Sequence, residues 1–281
     1  MKGSSKARSA ARRAKTDGER AGRRAARSTP LRLAAGVGYA AKGLLYLTIG
    51  YLALLIAFGE SAGREADNSG ALQTIAQGQA GMVLLWLIAV GLGALTVWQA
   101  LLALLVKSDA GKRIGSAVQA VTCAVLASAV VTFLLGQGAP DSQDGQAQSL
   151  TAQLMSLPFG RWIMALIGLA VIGVGGYQVW RGVTRRFTRE LTFDGASGAT
   201  RTAVVWIGTA GVTTHGLVLG TAGVFFVQAA WAFDKDEAQG LDGVLRSFAE
   251  TPAGPYALVA VAVGVVLYGA YCFCQARWQR G

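Results

Sequence analysis

Gly36-Val-Gly-Tyr-Ala-Ala-Lys42-Gly-Leu-Leu-Tyr46 opens a run that continues to Phe58 with no charge after Lys42. About 20 apolar residues at 1.5 Å rise cross a hydrocarbon core of about 30 Å. The run therefore reads as a membrane-spanning helix. Five further blocks have the same character, so the predicted spans are 34–58, 82–106, 114–136, 161–180, 203–231 and 256–276. Together they explain a chain that is 53% hydrophobic with mean hydropathy +0.43. The blocks are rich in Gly and Ala, which membrane helices tolerate. Alternating ten-residue segments of the barrel type are absent from the sequence. Backbone polar groups in lipid must be bonded internally, which leaves helices.

The net charge of +11 is distributed by side rather than gathered into a nucleic-acid face. With the first tail taken as cytoplasmic, only Arg64, Arg161, Lys235 and Arg246 of the 26 Lys and Arg fall in outer segments. The same segments hold ten acidic residues, among them Glu60, Asp67, Asp144, Asp234 and Asp242. This is a positive-inside pattern, which predicts both termini in the cytoplasm. Residues 1–32 carry eleven basic residues and almost nothing large and apolar, so the tail is expected to be disordered. Its basic side chains, including Arg8, Arg12, Arg13, Arg23, Arg24 and Arg27, suit anionic lipid headgroups. No aromatic residues are interleaved for stacking on bases, so nucleic acid is not expected. The tail also lacks the pattern of a cleaved signal peptide.

Self-similarity is the most informative feature. Lys42-Gly43 aligns with Gln119-Ala120 and His215-Gly216. Four residues before the first of each pair stand Gly38, Gly115 and Gly211; seven after the second come Gly50, Ala127 and Gly223. Residues seven apart share a helix face, so each first helix carries a small-residue stripe. The second helices open at Gly81, Gly160 and Gly254, and 18 residues on lie Gln99, Gln178 and Cys272, preceded by Trp98, Tyr177 and Tyr271. The unit is helix, outer loop, helix, used three times in one orientation: 33–110, 111–184 and 203–281, with a basic linker at 185–202. Short surface helices are predicted at 69–76, at 150–157 and around Leu241, Val244, Leu245 and Phe248. Repeats of equal orientation imply an axis along the membrane normal, hence a pseudo-threefold bundle of adjacent hairpins.

The Gly-x-x-x-Lys-Gly opening, the Pro158-Phe159-Gly160 and Pro252-Ala253-Gly254 turns, and the Tyr-x-x-x-Arg exit from Tyr177 to Arg181 together resemble the bacterial membrane family called domain of unknown function 1206. The resemblance covers about residues 31–280. Gln119 stands where that family usually has a basic residue, and Gln79 stands in place of a proline. What the resemblance implies is architecture; it implies no activity, cofactor or catalytic residue.

One His excludes Ser-His-Asp and multi-histidine metal constellations, and no phosphate loop, dinucleotide fingerprint or His-Glu-x-x-His occurs. An enzyme is not expected, nor a cofactor or metal. Cys123, Cys272 and Cys274 all fall in spans and read as small apolar filler. Polar residues inside spans remain the candidates for function. Lys42 can snorkel to the headgroups, while His215, beside Thr213 and Thr214, is too short to do so. Gln99, Gln119 and Gln178 can bond helices together. With Cys272 these residues define a candidate polar layer in the cytoplasmic half. Two readings follow: a structural or partner-binding membrane protein, with a protein partner at the outer loops, or a solute or ion path along the pseudo-axis. A packed axis favours the first. An open axis lined by Lys42, His215 and the glutamines favours the second.

Overall fold

The computed structural model describes residues 29–58, 65–105, 110–136, 142–157, 159–193, 195–232, 243–245 and 254–278. Eight α-helices account for most of them, with no strand among the described residues: α1 (Thr29–Ala57), α2 (Asn68–Ala76), α3 (Gly81–Leu105), α4 (Ala110–Leu134), α5 (Gln143–Met155), α6 (Gly160–Val183), α7 (Gly198–Ala232) and α8 (Gly254–Trp278). Six of these, α1, α3, α4, α6, α7 and α8, are long and apolar enough to cross a membrane. They bear large apolar side chains on their outer faces, such as Val83, Leu104, Leu166 and Trp206, as helices facing lipid do.

The short elements start where polar chemistry allows. Asp67 caps α2 by accepting from Gly70 N at 2.9 Å. Ser142 caps α5 in the same way through Gly145 N at 3.0 Å. Helix α5 begins seven residues before its expected start, because its first turns are polar and carry no apolar period. Between α7 and α8 only 243–245 is described; it is helical, with Val244 and Leu245 fully buried. The basic linker is more than a link. A 3-10 helix at Arg186–Glu190 turns Phe187 and Leu191 into the bundle, where both are buried, and α7 begins at Gly198 rather than 203.

Glycine contacts show how the helices run. On α1, Gly36 lies against Ala276, Gly43 against Gly269 and Phe273, and Gly50 against Ala262 and Val266, so α8 is antiparallel to α1. Gly168, Gly175 and Gly182 of α6 meet Gly223, Gly216 and Thr213 of α7, again antiparallel. Gly208, Gly211 and Thr214 of α7 descend along Tyr271, Tyr268 and Gly264 of α8. Lipid tails are as apolar as leucine, so van der Waals contact between close backbones holds such helices together.

The long helices form a circuit in chain order: α1 packs on α3, α3 on α4, α6 on α7, α7 on α8 and α8 on α1. One junction of the circuit stays open, since among the described residues α4 and α6 make no extended close contact. The hairpins expected to be adjacent are so in the first and third repeats; the second is splayed. Burial follows. In the apolar windows of α4 and α6 only 17% is buried, against 44% in α1 and α3 and 50% in α8.

Candidate ligand site

Lys42 is only 2% exposed. Its ammonium donates to the Tyr268 hydroxyl at 3.0 Å and lies 5.3 Å and 5.6 Å from the ring centroids of Tyr268 and Tyr46. The nearest answer to its charge is thus a hydroxyl oxygen and two ring faces. His215 stacks on Tyr268 with centroids 4.1 Å apart, and Tyr46 meets Tyr268 edge-on at 4.8 Å. Tyr46 Oη is 3.0 Å from His215 Nε2, and His215 Nδ1 is 3.1 Å from Gln178 Oε1. The Gln178 carbonyl can only accept, so Nδ1 carries the proton and Nε2 accepts from Tyr46. The amide nitrogen of Gln178 is left to donate elsewhere.

Four helices therefore meet at one cluster: α1 through Lys42 and Tyr46, α6 through Gln178, α7 through His215, α8 through Tyr268. Of the six residues in the expected polar layer, Lys42, His215 and Gln178 come together. Cys272 is buried one turn from Tyr268, among Phe187, Val212 and Tyr271. Gln99 donates to Tyr39 Oη at 2.7 Å and Gln119 to Cys123 Sγ at 3.6 Å, so each bonds outside this cluster. The tail residues Arg8, Arg12, Arg13, Arg23, Arg24 and Arg27 lie outside the described residues. The tyrosines are what the sequence reading missed. Tyr46 stands four after Lys42 and Tyr268 four before Cys272, each on the face of a residue already singled out.

Next to the cluster lies a cavity of about 370 Å³. It occupies the open junction, between Gly115, Val118 and Gln119 of α4 and Ala170, Gly173, Val174 and Gln178 of α6, with Tyr268, Tyr271 and Gln275 of α8 as its floor. Repeat alignment explains its position. A Cβ on Gly38 would strike Gly91 and Leu95 of α3, and one on Gly211 would strike Tyr268 of α8. The corresponding residues of the second repeat are Gly115, Ala170 and Val174. All three line the cavity, and a Cβ on Gly115 would meet nothing within 4 Å. The cavity is the contact that the other two repeats make and this one leaves open.

The walls are graded. Ala170, Gly173, Val174 and Val118 make one end apolar, while Arg181 and Gln275, each within a turn of its helix terminus, make the other polar. Arg181 is ion-paired to Glu190, which does not line the cavity. The polar end is level with an aromatic-basic border: Arg186 lies 4.0 Å over the ring of Trp180, and Arg185 lies 5.1 Å over that of Trp206. At the opposite end Arg161 stands over Trp162 and Trp231. Tyr271 is buried, lines the cavity, and its hydroxyl has no hydrogen-bond partner. No group of three or more His, Cys, Asp or Glu able to hold a metal occurs among the described residues.

The model of the family Domain of Unknown Function (DUF1206) matches this chain three times, at residues 37–105, 114–185 and 210–279. The chain belongs to the DUF1206 family. It is also similar to "Uncharacterized protein YxxB" of Bacillus subtilis (strain 168), with 30% identity over 250 residues that cover 86% of this chain and 89% of the relative. No solved structure matches it. Each DUF1206 match contains one pair of long helices, α1 with α3, α4 with α6 and α7 with α8. In this DUF1206 chain the middle match is the pair that stands apart and encloses the cavity.

Proposed function

We propose that this chain is a non-enzymatic binding protein of the bacterial cytoplasmic membrane, with both termini inside, and that the cleft of its second repeat takes up a molecule from the bilayer. The observation that carries the reading is the position of the cavity: between two helices, on the side where the circuit is open. A molecule dissolved in the membrane reaches such a site sideways, without crossing the protein. The graded walls suit an amphiphile, and no pair of titratable groups in the cavity is arranged for acid-base work. The four-helix cluster supports binding over permeation. Tyr46, Tyr268 and His215 are in mutual ring contact where α1, α7 and α8 meet, which fills that part of the interior with side chains. The distribution of Lys and Arg supports the orientation, and a fusion reporter at residue 281 scoring outside the cell would contradict it.

The test fills the cleft. Gly115→Phe puts a ring into open space, so the fold tolerates it. Native mass spectrometry of the wild-type chain released from lipid nanodiscs is expected to show about one retained lipid-sized molecule per chain, from a cavity of this volume. Gly115→Phe is expected to abolish retention while the melting temperature is unchanged. Equal retention by the two proteins would defeat the reading.

A further inference from the structure

We infer that the cleft selects its ligand by the headgroup, and that the headgroup is an anionic phosphate diester, as in an acidic phospholipid of the surrounding membrane. The inference rests on the binding reading above and names the ligand's chemical class.

Charge is the first argument. Lys42 is buried, and among the described residues no carboxylate pairs with it; the ion pair formed by Arg181 takes up Glu190. Lys42 does not itself line the cleft, but it is bonded to Tyr268, which does, so one unneutralised positive charge stands behind the cleft wall. A buried charge without a counter-charge is costly in a low-dielectric medium. A monoanionic ligand at the polar end removes that cost, and a neutral or zwitterionic one does not.

Hydrogen-bond polarity is the second. Tyr268 accepts from Lys42, so its own hydroxyl proton is free to point away from the ammonium. Gln178 accepts from His215, which frees its amide nitrogen. Tyr271 has a buried hydroxyl with no partner at all. Arg181 adds guanidinium donors, and no carboxylate lines the cavity. The lining thus offers donors to a group that is rich in acceptors, and phosphate oxygens are such acceptors.

Depth is the third. Arg181 lies two residues from the end of α6 and Gln275 three from the end of α8, level with the Arg186–Trp180 border. Phosphates of a bilayer sit at that level. Ala170 and Gly173 lie about two to three turns deeper on α6, which gives an acyl chain a smooth, lipid-facing track. The molecule that satisfies both ends is oriented as a lipid of the same leaflet.

The experiment offers a choice. The full chain is placed in nanodiscs of equal phosphatidylglycerol and phosphatidylcholine, and retained lipid is identified by native mass spectrometry. Wild type is expected to retain phosphatidylglycerol about tenfold over phosphatidylcholine, a difference of about 1.4 kcal/mol. Tyr271→Phe and Arg181→Gln are each expected to cut that preference severalfold. Gly115→Phe keeps the basic tail and loses retention, so lipid bound by the tail is told apart from lipid in the cleft. Equal retention of both lipids, abolished by Gly115→Phe, overturns the headgroup assignment and leaves the binding reading standing. Preference unchanged in both Tyr271→Phe and Arg181→Gln also overturns the assignment. Retention of neither lipid overturns both.

Discussion

Lys42 and Tyr268 are 226 residues apart in the chain and one hydrogen bond apart in space. Their pairing sets up two substitutions with opposite outcomes. Tyr268→Phe removes the oxygen that accepts from a buried ammonium, which costs about 1–3 kcal/mol or more for a charged group. Its melting temperature in detergent is expected to fall. Lys42→Met removes the charge itself and keeps a flexible apolar stem, and replacing a buried charge by a packed apolar group is neutral or stabilising. Its melting temperature is expected to hold or rise. A fall in Lys42→Met as large as in Tyr268→Phe would mean that the ammonium contributes net stability. Lys42 and His215 were legible because a polar residue inside an apolar run stands out against its neighbours. Tyr46 and Tyr268 were not, because tyrosine is an ordinary membrane residue and only the meeting of α1, α7 and α8 gives these two a role.

Helices α6 and α7 close on glycine. A Cβ on Gly175 would lie 2.6 Å from Gly220 N and 2.7 Å from Gly216 O, and backbone cannot yield as a side-chain tip does. Gly176, its neighbour, faces open space. Gly175→Ala is therefore expected to destabilise by about 1–3 kcal/mol through overpacking, and Gly176→Ala to be neutral or slightly stabilising. Thermal unfolding of the two variants side by side checks the seam; equal behaviour would argue against it. The small-residue stripe through Gly216 and Gly223 announced close packing, and the apolar runs announced the six long helices. The 3-10 helix at Arg186–Glu190 was hidden, because Phe187 and Leu191 are lone apolar residues among arginines and have no period of their own. Helix α5 was half visible for a similar reason: polar residues fill its first turns, and the cap at Ser142 does the work of starting it.

On the scale of the molecule, three repeats with one sequence plan do not make three equal contacts. Gly38 and Gly211 each seat against the second helix of their own repeat, while Gly115 does not. The sequence carries a trace of this difference, since Gln119 and Cys123 of α4 replace the Lys42 and Tyr46 that hold α1 in the polar cluster. The order of the repeats and their common direction were readable from matched glycines. The splayed second hairpin was not, because a stripe of small residues permits close approach without requiring it.

Cysteine crosslinking tests this central point, in chains with Cys123, Cys272 and Cys274 replaced by alanine and in native membranes. Val37→Cys with Gly91→Cys spans the closed junction of the first repeat, where a Cβ on Gly91 lies 3.1 Å from the Val37 side chain. Gly115→Cys with Val174→Cys spans the open junction of the second. A disulfide needs Cβ atoms about 3.5–4.5 Å apart. The first pair is expected to crosslink under mild oxidation and the second to remain as free thiols; crosslinking of the second pair as complete as the first would contradict a cleft held open to the bilayer.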